Sequence, residues 1–278
     1  MVKRESGAFP IAGSYFVLLL FAFFMGFPIV WMVFNSLKTH DEVFTNIWGP
    51  PDVPQWINYP RAWEQANVGI LFRNSLIVAG SSVVLITLLA ALAAYGISKI
   101  RFRGNGVLFI LFIIAMLVPQ QILIVPLYRL MKSLGIINTH LSLIFPYVAG
   151  GLPLAIFILT TYFRGIPDDI VEAARIDGCS NIRILWNIVL PVSWPAISAV
   201  IIFEFLETWN EFFLALVFIQ KIDLRTLPLG IFSFMGRYMI DYSLFFSVLS
   251  LSMLPVIIIF LIFQRRFVSG LTAGALVG

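Results

Sequence analysis

Six stretches of this 278-residue chain carry no Asp, Glu, Lys or Arg: between Glu5 and Lys38, Arg73 and Lys99, Arg103 and Arg129, Lys132 and Arg164, Arg183 and Glu204, and Asp241 and Arg265. A bilayer's hydrocarbon core is about 30 Å thick and a helix rises about 1.5 Å per residue, so about 20 apolar residues cross it. Each stretch supplies that length. The whole chain is 60% hydrophobic and 12% charged, whereas a soluble domain holds about 25% charged residues; lipid must be part of its solvent. Long apolar runs that contain Gly and Pro favour helices over barrel strands. The expected architecture is all-α, a polytopic membrane protein of six transmembrane helices in one domain over 1–278. The spans are expected at about 13–37, 72–98, 106–129, 139–163, 190–219 and 243–264, the fifth of which must admit Glu204, Glu207 and Glu211.

The first stretch follows Lys3 and Arg4 as a signal peptide would, but its apolar run is too long and no small-residue cleavage site precedes Asn35, so it reads as a retained helix. The net charge of +4 comes from dispersed residues that flank the spans, a pattern that sets orientation and argues against nucleic acid. The short basic clusters are Lys3/Arg4, Lys99/Arg101/Arg103 and Arg265/Arg266; the positive-inside rule places them, and both termini, in the cytoplasm. Arg61, Arg73, Lys221, Arg225 and Arg237 then fall outside, so this orientation rests on the clusters. The external segment 38–71 carries Gly49-Pro50-Pro51, Pro54 and Pro60 among Trp48, Trp56 and Trp63, the composition of an interfacial, partner-facing loop. Cys179, the one cysteine, excludes an internal disulfide.

Residues 164–178 form the most charged stretch. Pro167 suits a first helical position, Asp168 and Asp169 complement the positive end of a helix dipole, and Gly178 stops it, which predicts a short helix over 168–177. Ser180 is placed to cap a second one. The small side chains of Ala173 and Ala174 would let another surface approach the backbone, with Glu172 and Asp177 as charges around the contact. Two readings stand on the residues alone: a docking helix, or an amphipathic helix on the membrane surface that only connects spans.

Glu172-Ala173-Ala174, Asp177-Gly178, Ile188-Val189-Leu190-Pro191 and Pro195 resemble the EAA loop of binding-protein-dependent ABC permeases. The likeness runs on through Asn58-Tyr59, Asn74-Ser75-Leu76, Ala94-Tyr95-Gly96, Pro119, Pro126-Leu127-Tyr128, Trp209-Asn210-Glu211, and Gln264-Arg265-Arg266 with Gly270-Leu271. Together these are similar to the second permease of carbohydrate importers such as the maltose and glycerol-phosphate systems. Cys179 stands where the family has alanine, and Trp186 where it usually has phenylalanine. The resemblance implies an inner-membrane permease of a carbohydrate importer that is itself no enzyme. It implies a related permease chain as partner in a heterodimer, two cytoplasmic ATPase subunits holding ATP and magnesium, and an external solute-binding protein. Glu172, Ala173, Ala174, Asp177, Gly178, Leu190 and Pro191 would form the joint with the ATPase.

Glu204, Glu207 and Glu211, spaced three and four apart, share one helix face. A charge at the centre of a lipid-facing helix costs about 2.5–3.5 kcal/mol against about 0.3–0.6 kcal/mol recovered per large apolar residue, so the face must turn inward or be paired. It either lines a sugar or polyol path together with Trp209 and Asn210, or holds helices together, for instance through Glu211 and Arg73. An ion-coupled secondary transporter would use the same carboxylates, but leaves residues 168–195 unexplained. The chain has no Gly-x-x-x-x-Gly-Lys-Ser/Thr phosphate cradle and only two histidines, His40 and His140, which points to an energy source outside it and away from a metal site.

Overall fold

The computed structural model describes residues 8–235 and 241–275, and these contain helices and no strand. In chain order they are α1 (Ala8–Ser36), α2 (His40–Thr45), α3 (Asn58–Gln65), α4 (Val68–Lys99), α5 (Asn105–Ala115), α6 (Ile124–Ser133), α7 (Leu141–Arg164), α8 (Asp168–Ile176), α9 (Asn181–Ile184), α10 (Leu190–Val192), α11 (Trp194–Asn210), α12 (Phe213–Phe218), α13 (Leu227–Met235) and α14 (Tyr242–Ala275). A 3-10 turn, Gln120–Leu123, leads into α6, and a π turn, Leu185–Val189, joins α9 to α10. The all-α expectation holds. Lys3, Arg4 and Arg237 of the charge argument lie outside the described residues.

Four segments are each long and apolar enough to cross a membrane: Gly13–Ser36, Val68–Lys99, Leu141–Arg164 and Tyr242–Gln264. The expected third and fifth spans are not straight rods. Asn105–Ala115 and Gln120–Ser133 meet at 88°, Asn181–Val192 and Trp194–Asn210 at 82°, and the spans number six when each bent pair counts as one. The first break falls at Pro119, whose extended backbone (ψ 126) cannot continue a helix and whose ring pushes the preceding residue away from helical geometry. The second falls at Ser193, ahead of Pro195 in the first turn of α11, where a missing N–H costs nothing. Pro28, Pro146, Pro153 and Pro255 stay inside their helices. The fifth span is broken again at Glu211, which is extended with ψ 130.

The chain divides into two compact units: residues 1–68 with 233–253, and residues 69–232 with 254–278. In the first unit, the end of α1 is fixed by the loop that follows it. Buried Asn58 donates its amide to the carbonyls of Ser36 (3.0 Å) and Lys38 (2.8 Å), the hydroxyls of Tyr59 and Ser36 bond at 2.8 Å, and Ser247 on α14 donates to the Ser36 carbonyl at 3.1 Å. The last carbonyls of a helix have no partner within it, and this set supplies one. Lys38 is fully buried and donates to Asn35 Oδ1 at 3.2 Å and to the Asn46 carbonyl. Asn58→Ala removes both amide bonds and is expected to cost about 1–3 kcal/mol, measurable as a lowered unfolding temperature of the detergent-purified chain.

In the second unit α7 is central, packed against α5 and α11. One core joins Ile86 and Ala90 of α4, Leu143, Ile156, Leu159 and Phe163 of α7, and Val200 of α11 to Val171, Ala174, Ile184 and Leu185 of the charged segment. That segment therefore shares one core with the spans.

Candidate functional site

The charged segment folds as its residues dictate. Pro167 is the extended N-cap (ψ 132) of α8, Asp168 and Asp169 occupy its first turn, and Gly178 adopts φ +79 just beyond its end. Gly178 N–H bonds to the Arg175 carbonyl and Cys179 N–H to that of Ala174, both at 3.0 Å. This pair is the Schellman ending, which needs a left-handed residue at the position Gly178 fills. The helix ends at Ile176, one residue short of the expected 177. Ser180 caps the next helix through the Arg183 N–H at 3.4 Å. The Lys99 ammonium, 2.7 Å from Asp168 Oδ1, bonds the Asp168 carboxyl and holds it below the usual range, with its charge adding to the effect. Any stability this linkage gives is present above the ordinary carboxylate range and is lost as pH falls.

Glu172, Ala173, Asp177 and Gly178 lie on the exposed side of α8 and its end. Ala174 does not: it is 7% exposed and packs beside Val171 in the core, so Ala173 alone is the small side chain on the open face. Val171 and Ala174 are three residues apart on one helical face, a spacing that separates the two alanines. The open surface also carries Ile176 and Ile182, 87% and 66% exposed, which the charge pattern had hidden. Leu190 is half-buried and Pro191 exposed, just before the bend into α11.

At the other candidate locus, Glu204 and Glu207 share a face of α11, Glu204 buried and Glu207 exposed. Glu211 sits past the end of that helix. Its carboxylate accepts from the N–H groups of Leu214 (2.8 Å) and Ala215 (3.3 Å), capping α12, and from the Tyr147 hydroxyl. The break at Glu211 is thus made by a side-chain cap. Among the described residues no ion pair joins Glu211 to Arg73; the pairs there are His40 and Arg61 with Asp241, and Lys99 with Asp168.

The three carboxylates nevertheless meet at one space. A cavity of about 260 Å³ is lined by Glu204, Glu207 and Glu211 with Tyr147, Gln120, Gly150 and Gly151, and a second of about 290 Å³ by Gln120, Gln121, Glu207, Asn210 and Glu211. The glycine pair on α7 makes the room: a Cβ on Gly151 would meet the Glu204 carboxylate and Ile86, and one on Gly150 the Gln120 amide. Gln120, Gln121, Tyr147 and the two glycines were missed by reading along single helices, because they converge only in three dimensions. Trp209 lines neither cavity. It is 3% exposed, stacked on Phe205 (5.4 Å between ring centres) and edge-on to Phe72 of α4 (5.6 Å).

Residues 84–273 match the binding-protein-dependent transport system inner membrane component family. The chain belongs to that family. As a multi-pass ABC transporter permease it is 35% identical to a probable ABC transporter permease protein of Bacillus subtilis over 94% of this chain and 87% of that one. It is 36% identical to a trehalose/maltose transport system permease protein of Thermococcus litoralis over 94% of each. Its fold matches a chain in the crystal structure of a bacterial ABC transporter involved in the import of the acidic polysaccharide alginate, with a TM-score of 0.81 at 21% identity, covering 96% of this chain and 99% of the other. In this permease, then, the bends at Pro119 and Ser193 lie within a family fold.

Proposed function

We propose that this permease is half of the translocation pathway of an ATP-driven carbohydrate importer, and that α8 docks on a cytoplasmic ATPase subunit through Glu172, Ala173, Asp177 and Gly178 with Ile176 beside them. The observation that carries the reading is the exposed, Schellman-capped α8 whose buried face belongs to the same core as the spans. A helix so placed cannot shift without moving the spans. The substrate class is taken from relatives such as the trehalose/maltose permease. A second permease chain, two ATPase subunits that hold ATP and magnesium, and an external solute-binding protein complete the assembly.

The cytoplasmic placement of α8 is supported by its ion pair with Lys99, which puts the basic cluster Lys99/Arg101/Arg103 at the same end of the bundle as the docking helix. The positive-inside rule then assigns that end to the cytoplasm.

Reconstitution of the complex in vesicles tests the proposal: uptake of labelled trehalose, maltose or related sugars is expected to need both ATP and the binding protein. Uptake driven by an ion gradient alone would overturn it in favour of a secondary transporter.

The carboxylate-lined cavities are proposed as part of the sugar path, since carboxylates and amides bond sugar hydroxyls from both directions. Losing one charged hydrogen bond of about 1.5–3 kcal/mol predicts a KM raised about tenfold or more in Glu207→Gln, with normal assembly. Glu204→Gln is expected to shift affinity or substrate choice as well. Wild-type kinetics in both variants would remove the cavity from the path, and loss of assembly would assign the carboxylates to helix packing.

A further inference from the structure

We infer that α4 is the rod that carries movement of the docking helix to the far end of the bundle, with Lys99 as its joint at one end and Asn74 and Ser75 as its joint at the other. The inference rests on the reading of α8 as the ATPase-docking helix.

The Lys99 joint grips α8 at both ends. The Lys99 side chain is 1% exposed, and its ammonium donates to the Ile166 carbonyl at 2.6 Å and to Asp168 Oδ1 at 2.7 Å, at the entry to α8. From the last turn of α8, Arg175 Nη2 donates back to the Lys99 carbonyl at 2.9 Å. The Tyr95 hydroxyl, one turn earlier on α4, donates to Asn181 Oδ1 at 3.2 Å, which also accepts from Arg175 at 3.4 Å. A buried ammonium is tolerated only when paired, and separating it from its partners leaves a charge stranded away from water. Rotation or withdrawal of α8 relative to α4 is therefore resisted by a specific charge contact, and the two helices move together.

The opposite end of α4 is held by polar contacts of the same kind. Asn74 and Ser75 are buried; Asn74 Nδ2 donates to the carbonyls of Asp223 (2.8 Å) and Arg225 (3.0 Å), and the Leu227 N–H donates to Ser75 Oγ at 2.7 Å. These bonds tie α4 to the segment between α12 and α13. Within its 32 residues α4 is continuous between the joints, from Asn74 to Lys99, 25 residue steps or about 37 Å at helical rise. It has no internal proline, unlike α1, α7 and α14, and no break, unlike the third and fifth spans. Proline and Gly/Ser pairs are both causes of helix kinks; α4 has no proline and runs unbroken through Gly80-Ser81-Ser82, so it is the long helix built to transmit a push.

The test uses the assembled complex in lipid vesicles with Cys179→Ser and Ile222→Cys, the latter replacing a half-exposed residue beside the far joint. Its rate of reaction with a water-soluble maleimide is measured without nucleotide and after trapping with ATP and vanadate. With both joints intact the rate is expected to change about fivefold or more between the two states. With Lys99→Met, and separately with Ser75→Ala, the change should fall below about twofold while ATP hydrolysis per assembled complex persists. Arg175→Gln, at an exposed residue, serves the same purpose if Lys99→Met does not assemble.

Full change in Lys99→Met or in Arg175→Gln overturns the rod, as does a parallel loss of hydrolysis and labelling change, which marks a structural role alone. An unchanged rate in the parent also overturns it. Failure of the docking reading is separate: Ile176→Cys would then form no cross-link to the ATPase subunit in the parent complex.

Discussion

Gly151→Leu is expected to abolish transport and to destabilise the permease by more than the roughly 1–3 kcal/mol of an ordinary overpacked site. A single added Cβ already meets two neighbours, the Glu204 carboxylate and Ile86 Cδ1. Both atoms are side-chain ends, but Ile86 is fully buried and Glu204 is 3% exposed, so a whole leucine side chain must displace packed neighbours. The smaller change Gly151→Ala separates the two neighbours. If the carboxylate is the decisive clash, Gly151→Ala costs about 1–3 kcal/mol alone and markedly less in a Glu204→Ala background, with a coupling of about 0.5–3 kcal/mol across the double-mutant cycle. Thermal unfolding of the four purified proteins measures it. Strict additivity would show that α7 and α11 are not held in register through this contact.

The spans were legible because a charge in hydrocarbon is expensive, so their absence marks where lipid begins and ends. The short helix α8 was legible because Pro167, the paired aspartates and Gly178 each meet a local demand of a helix end. What escaped the sequence depends on contacts between helices. Pro119 breaks its span whereas Pro28, Pro146, Pro153 and Pro255 do not, and nothing in the residues beside each proline separates the two outcomes. The break at Glu211 has no proline or glycine to announce it; it needs Tyr147 from α7 and a free turn of α12 to receive the carboxylate. Trp209 looked like a sugar platform beside Asn210 and is instead the packing surface for Phe72 on another helix. Asn58-Tyr59 and Asn74-Ser75 stood out only through a family likeness, and each proves to bond backbone groups far away in the chain.

Gly178→Val is expected to uncouple the permease from its ATPase while leaving the spans folded. The φ of +79 costs an ordinary L-residue about 1–2 kcal/mol, and a β-branched side chain tolerates it worst. Relief of that strain undoes the two bonds that end α8, and with them the fixed direction in which Ile176, Asp177 and Gly178 face outward. Among the described residues no atom beyond the adjoining ones lies within 4 Å of a Cβ built on Gly178, so within them the substitution acts through strain. That separation lets one series distinguish geometry from contact. Asn, which visits the left-handed region readily, should restore the ending: Gly178→Asn is expected to unfold within about 1 kcal/mol of the parent, and Gly178→Val about 1–2 kcal/mol or more below it. Co-purification of the ATPase subunit is the second readout. If Asn also restores docking, Gly178 serves to aim the helix. If Gly178→Asn is stable yet loses the ATPase, the partner's surface comes within a side chain's length of this glycine, and the open space beside it is the seat of the joint.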